Sequence, residues 1–383
     1  MRVLFLAPRY PYPPLRGDQR RAFDLLRALA TRADVRALTF AFADDPPLPF
    51  EGVDVVRIAA SVPGRARGNL TAPDPRLPGQ VRLFLDAAMR RAVASELARF
   101  RPDALHVSLA RMAPYLPPPG PVHRHVDLVD ALSVNMERRA AAERGPLRWA
   151  LRAEARLMAE YERRVVAAAD TSSLVSDADR RAAPGLEACA VVPNGVDVDA
   201  IGFEPPADRP PVLVFFGNLG YFPNIEPARV CAEEILPRVR REVPEATLRL
   251  IGARPAPAVQ ALGAREGVTV VGPVDDMGEH VRAAAVALLP MYSGSGMNNK
   301  IVEAMSAGTP VVANATAFRG VPGTRPGVDH LRGDGPEELA AACVRLLRAP
   351  EERVKLAREA RELVARDYTW GARAEQLLAL YAS

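Results

Sequence analysis

Lysine is nearly absent from this chain. Of its 50 basic residues only Lys300 and Lys355 are lysines, and arginine supplies the rest. The three cysteines, Cys189, Cys231 and Cys343, are widely spaced and form no C-x-x-C pair; neither a disulfide framework nor a zinc site is suggested, and reduced thiols in a cytoplasm fit best. No stretch reaches the roughly 18 consecutive apolar residues that a membrane span needs, and the apolar run before Pro8 reads as too short for a signal peptide. A basic block is also missing: the net charge is +4, yet the arginines are interleaved with acids and apolar residues, so nucleic-acid binding is not indicated. No Asp-x-Asp triplet has an obvious metal role.

What is present is globular. The 383 residues are 49% hydrophobic and 25% charged, values of a folded chain long enough for two domains. Short apolar runs alternate with helical patterns almost throughout, the signature of parallel sheets covered by helices. Strands are expected at 2–7, 35–42, 53–58, 104–107, 122–126 and 171–175, and again at 212–216, 247–251, 268–271, 285–289 and 311–313. Helices are expected near 18–30, 80–99, 133–169, 226–242, 256–266, 277–284 and 299–307, and over 336–383 with a break at 367–371. Pro193-Asn194-Gly195 is a turn signal and 204–211 is polar and rich in proline. The chain thus divides into a first domain over 1–195, a second over 196–366, and a tail over 367–383 that packs back on the first with Trp370 and Tyr381 as buried anchors. Ligands of open α/β sheets bind beyond the carboxyl ends of the strands, so 8–18, 125–130, 217–220, 272–274 and 293–298 are the candidate loops.

One loop combines several signals: Ser293-Gly294-Ser295-Gly296-Met297-Asn298-Asn299-Lys300-Ile301-Val302-Glu303. Gly294 and Gly296 permit tight turns and close backbone approach. Asn298 or Asn299 is placed to cap a helix whose first turn holds Lys300, a ready anion site. Glu303 shares a face with Lys300 and has acceptors for sugar hydroxyls. The alternative is a surface ion pair worth roughly 0.2–0.5 kcal/mol.

These pieces, in order, resemble a known family. Phe216-Gly217-Asn218, Gly272-Pro273-Val274-Asp275-Asp276, Gly294-x-Gly296-x3-Lys300-x2-Glu303-Ala304-Met305 and Gly308-Thr309-Pro310-Val311-Val312 are similar to the motifs of the family 4 retaining glycosyltransferases. The resemblance implies the GT-B fold: α/β, two Rossmann-like doubly wound parallel-sheet domains facing across a cleft. It implies a nucleotide-diphosphate sugar donor, a UDP-sugar being expected, held mainly by the second domain, with the acceptor held mainly by the first. Lys300 would then hold the diphosphate, Glu303 the ribose and backbone near Val274 the base. Asn218, Ser295, Gly296, Met297 and Asn298 would line the sugar and phosphates, and Gly17 would let a first-domain loop close over the diphosphate. Two departures stand out. Ser295 replaces the first glutamate of the usual Glu-x7-Glu pair, and 217–224 lacks the usual arginine and lysine; both recur in a subgroup with a G-x-G-x3-K-x2-E loop. Lys300 should therefore carry more of the diphosphate charge.

The resemblance also implies a histidine or acid near the anomeric carbon, for which His125, Asp127 and Asp130 are candidates, against readings of His125 as a satisfied core histidine and Asp130 as a helix cap. Asp18 and Asp275-Asp276 read as caps. No cofactor or metal is expected. The implied activity is sugar transfer with retention to a small-molecule, lipid-linked or polysaccharide acceptor in bacterial glycan or glycoconjugate biosynthesis. A nucleotide-sugar 2-epimerase and a binding protein without turnover are the alternatives. The arginine-rich stretch 135–164 around Trp149 reads either as a membrane-surface helix, giving weak peripheral contact at the inner face of a membrane, or as a solvated face with Trp149, Leu157 and Tyr161 turned inward.

Overall fold

A computed structural model describes residues 1–59, 74, 76–292 and 297–383. The chain divides into two compact units, Met1–Asn194 with Trp370–Ser383, and Gly195–Thr369. Unit 1 is built on seven parallel strands: β1 Arg2–Ala7, β2 Asp34–Ala41, β3 Val53–Ala59, β4 Ala104–Ser108, β5 His123–Val129, β6 Thr171–Leu174 and β7 Ala190–Val191, in the order β3-β2-β1-β4-β5-β6-β7. Helices cover both faces, so the central strands bury both of theirs and read as continuous apolar runs. β1 shows the division: Val3, Phe5 and Ala7 face helices Gly17–Ala30 and Trp370–Tyr381, whereas Leu4 and Leu6 join the layer under helices Ala87–Phe100 and Pro146–Ala168. Trp370 and Tyr381 are buried in unit 1.

Unit 2 repeats the plan with six parallel strands, β8 Val212–Phe216, β9 Thr247–Ile251, β10 Val268–Gly272, β11 Val286–Leu288, β12 Val311–Ala313 and β13 Leu331–Arg332, in the order β10-β9-β8-β11-β12-β13. In each sheet the strand order reverses once, beside the first strand of the unit: at β1/β4 and at β8/β11. Ligands of open α/β sheets bind at this switch point.

Several expected helices are interrupted. The stretch 133–169 is two helices, Leu132–Ala142 and Pro146–Ala168, because Gly145 turns through φ +72° and Pro146 starts the second. The stretch 226–242 contains a π-helical segment, Cys231–Ile235, and the last helical region breaks at both Ala349 and 368–369. Trp149 is not turned inward. It is 68% exposed, beside the half-exposed Leu147, while Tyr161 is buried. Among the described residues no helix is long and apolar enough to cross a membrane.

Candidate functional site

In unit 2 the carboxyl ends of β8 and β9 are brought together by two glycines. Gly252 lies at φ +153°, and a Cβ there would stand 1.5 Å from the Gly217 carbonyl oxygen. Gly217, at φ +130°, has no room either, since its Cβ would meet Lys300 Cε at 2.5 Å. The bare backbone of Gly217 is thus the floor on which the Lys300 side chain lies. Lys300 Nζ donates to Asn224 Oδ1 at 2.7 Å and sits 5.5 Å from the Phe215 ring centroid. Asn224 is fixed in turn by donating through Nδ2 to the Asn218 carbonyl, 2.8 Å. Burial lowers the Lys300 pKa to about 8, against the opposing pull of Glu303.

Lys300 is in the first turn of the helix Asn299–Ala307, and Asn298 stands at its N-cap. The Asn298 side chain makes no cap hydrogen bond, and among the described residues its Nδ2 is buried with no hydrogen-bond partner. Met297 is buried and packs into the unit 2 core. Asn218 is exposed, its Oδ1 accepting from Gly220 N. Val274 is half-buried after β10, and Asp276 caps the next helix by accepting from Glu279 N, as its sequence position suggests. Ser295 and Gly296 lie outside the described residues. The structure therefore brings Lys300 together with Gly217, Asn218 and Asn224 at the β8/β11 switch point, with Glu303 one helical turn further on. Asn224 escaped the sequence reading because a neutral amide in a proline-flanked turn carries no charge signal.

In unit 1 the three acid–base candidates part company. His125 is fully buried, with Nδ1 2.9 Å from Thr171 Oγ1 and Nε2 3.0 Å from Ser173 Oγ. Burial holds its pKa well below the usual value. With both ring nitrogens engaged it is a core histidine, which corrects its candidacy as a catalytic group. Asp127 is corrected likewise. It is fully buried and takes Arg21 Nε at 2.7 Å and Ser173 Oγ at 3.0 Å; burial pushes its pKa up, Arg21 together with His106 and His125 more than offsets this, and the carboxylate stays ionised. Arg21, also buried, spends its other N–H groups on the Val192 and Pro193 carbonyls and Asn194 Oδ1, locking β5 to the end of unit 1.

Asp130 is different. It is half-buried just past β5, and it is not the cap of the next helix, whose N-cap position Ala131 holds. Its pKa is raised to about 6, by burial first and then by the buried Asp179. The preceding Val129 has φ +66°, and Leu109, just past β4, has φ +70°. Positive φ in a β-branched or bulky residue costs on the order of 1–3 kcal/mol and persists where surrounding structure imposes it. Here Leu109, Val129 and Val175 form a small buried apolar cluster at the strand ends, and the Asp127 carbonyl accepts from Leu109 N at 2.8 Å. Asp18 does not cap its helix either; it pairs with Arg9, and the N-cap is Arg16 without a side-chain bond. Among the described residues nothing lies within 4 Å of a Cβ built on Gly17, so none of them requires glycine there.

Residues 210–349 match the family described as Glycosyl transferases group 1. The phosphatidyl-myo-inositol mannosyltransferase of Mycobacterium leprae is 35% identical over 220 residues, covering 54% of this chain and 57% of that one. Its counterpart in Mycobacterium tuberculosis H37Rv is 33% identical over 226 residues, covering 54% and 58%. The match thus spans little more than half the length of these relatives. Among solved structures, the chain is similar to sucrose-phosphate synthase from Thermosynechococcus elongatus (TM-score 0.72, 19% identity, 100% of this chain and 98% of that one). It is also similar to Anabaena HepE in complex with UDP (TM-score 0.66, 17% identity, 100% of both) and to WaaG, a glycosyltransferase involved in lipopolysaccharide biosynthesis (TM-score 0.65, 16% identity, 100% of both). The fold is GT-B: two parallel-sheet α/β domains of seven and six strands.

Proposed function

We propose that this protein is a glycosyltransferase that moves a sugar from a nucleotide-diphosphate sugar to an acceptor hydroxyl with retention of configuration and without a metal. The observation that carries the reading is the seating of Lys300. A desolvated ammonium at a switch point, in the first turn of a helix, laid over a glycine that leaves no room for a side chain, is built to meet an anion. The likeness of 210–349 to the group 1 transferases supports the same assignment.

In this reading Lys300 and the N–H groups at the start of helix Asn299–Ala307 take up the charge that grows on the departing diphosphate. Glu303 accepts from the ribose hydroxyls, the backbone near Val274 borders the base, and Asn218, Met297 and Asn298 border the phosphates and sugar, together with Ser295 and Gly296. The nucleotide is taken as UDP, in keeping with HepE, whose structure holds it. Departure and attack occur on one face of the sugar, and the leaving phosphate accepts the acceptor proton, so no protein nucleophile is needed. Unit 1 contributes the acceptor side, with Gly17 and Asp130 as its candidate residues. The exposed Trp149 and Leu147, with Arg152 over the Trp149 ring at 5.7 Å, give unit 1 an apolar and basic tip suited to weak contact with an anionic membrane.

The test is a transfer assay with UDP-sugars against a panel of acceptors, with product stereochemistry read from the anomeric NMR coupling. An inverted product overturns retention. Binding without transfer or hydrolysis favours a carrier, and an epimerised donor favours an epimerase. Asp130→Asn is expected to lower kcat at least a hundredfold with the UDP Kd unchanged; wild-type kcat in that variant removes Asp130 from the reaction.

A further inference from the structure

Unit 1 has its own switch point at β1/β4, and two arginines flank it. The strands are direct neighbours, with Leu6 opposite Val107. Arg9 leaves the chain just beyond β1, and Arg111 lies in the 3-10 turn Ala110–Tyr115 just beyond β4, two residues after Leu109 with its positive φ. Their guanidinium carbons lie 5.9 and 6.0 Å from the centroid of one buried ring, Phe84.

The two charges are not equally compensated. Arg9 pairs with Asp18. Among the described residues Arg111 has no ion pair: Nη2 donates to the neutral Gln80 Oε1 at 2.5 Å, Nε is buried with no partner, and Nη1 makes no hydrogen bond. Burial and the neighbouring Arg9 both disfavour this guanidinium, and Asp18 offsets them only in part. A partly desolvated cation without a counter-ion is costly unless something else supplies the charge. Gln80, whose Nε2 is held at 3.6 Å from Met136 Sδ, keeps the planar fork in one orientation, which suits an oxyanion better than a mobile surface arginine would.

We infer that Arg111, assisted by Arg9, forms a phosphate-binding subsite at the β1/β4 switch point of unit 1, and that the acceptor carries a phosphoryl group there. This rests on the transferase reading for the word acceptor, but the site itself does not. With Asp18 paired to Arg9 the cluster keeps a net charge of +1, the uncompensated cation being Arg111, and a phosphate monoanion balances it by accepting from Nη1 of Arg111 while facing Arg9. The phosphoryl group could belong to a soluble monoester or to a lipid headgroup; the chemistry recognised is the same.

The experiment is calorimetric titration of the full chain in a Lys300→Ala background, which silences the proposed diphosphate site. Inorganic phosphate is one probe, and dihexanoyl phosphatidic acid below its micelle concentration is the other. Saturable binding of either, weakened at least tenfold by Arg111→Gln and less by Arg111→Lys, supports the subsite; the tighter probe identifies the source. Equal affinity with and without Arg111→Gln, or no binding of either probe, overturns it. Urea unfolding of the single Arg111→Gln variant, followed by the fluorescence of Trp149 and Trp370, which both lie in unit 1, serves as the folding control and should match wild type. Failure of UDP to bind the wild-type protein would sink the donor assignment while leaving the phosphate result standing.

Discussion

Lys300 shows how much one side chain can be made to carry. Its ammonium is held by Asn224 and by the face of Phe215, and burial has brought its pKa down to about 8. A charged hydrogen bond is worth roughly 1.5–3 kcal/mol, so Lys300→Ala should weaken UDP binding about tenfold to a hundredfold. The pH dependence follows from the same shift. Below pH 8 the free protein already holds the proton that the diphosphate needs; above it, binding must first recruit one, and affinity should fall toward tenfold per pH unit, whereas Lys300→Arg stays flat. Titration calorimetry from pH 7 to 9.5 decides this, and a flat wild-type profile removes Lys300 from the diphosphate. Lys300 stood out in the sequence because it is one of only two lysines in an arginine-rich chain, and Glu303 because it follows three residues later on the same helix face. Arg111 gives no such contrast, being one arginine among dozens. His125 was misleading for another reason: the partners that satisfy it, Thr171 and Ser173, come from a strand 46 and 48 residues away, and a single sequence does not show that pairing.

At the level of elements, the strand-and-helix alternation was readable in nearly every case, because buried parallel strands are apolar on both faces. What escaped was most of the helix breaks, the one at 367–371 excepted, and how strand ends approach one another. The latter depends on two glycines that look ordinary in sequence. Gly252→Ala would place its Cβ 1.5 Å from a backbone oxygen, and neither strand can move without breaking the β8–β9 ladder; loss of folded unit 2 is expected, seen as loss of its cooperative calorimetric transition. Gly217→Ala meets the far end of a flexible lysine instead, at 2.5 Å. The fold should survive with a strain cost on the order of 1–3 kcal/mol, while Lys300 is displaced and UDP affinity falls about as far as in Lys300→Ala. Equal damage to the fold by both substitutions would mean that Gly217 serves the backbone and not the lysine.

Across the whole molecule, the chain leaves unit 1 at Asn194 and re-enters it at Trp370, and the returning helix brings Tyr381 against the histidines of the first sheet. Tyr381 Oη is 2.6 Å from Nδ1 of the fully buried His106, whose pKa burial lowers to about 4. Unfolded, His106 would titrate near 6.5, so the native state resists a proton that the unfolded chain accepts: stability is lost as pH falls from 6.5 and the loss is complete near 4. Glu162 works in the opposite direction. It is buried on helix Pro146–Ala168, and burial raises its pKa to about 7, offset in part by the Ser133 hydroxyl and backbone N–H that it accepts from. The native state therefore takes up a proton early, and stability is gained as pH falls from 7 to 4.5. Each effect amounts to up to about 3 kcal/mol at 1.36 kcal/mol per pH unit, so the wild-type profile conceals both. Single substitutions separate them. Relative to wild type, His106→Gln should become progressively more stable as pH falls below 6.5, and Glu162→Gln progressively less stable as pH falls below 7. Both tryptophans, Trp149 and Trp370, belong to unit 1, so urea unfolding followed by tryptophan fluorescence reads this unit without interference from the other. Parallel pH profiles for wild type and both variants would show that neither group changes its protonation on unfolding in this range, and that the buried histidine and glutamate are structural without being linked to acid stability.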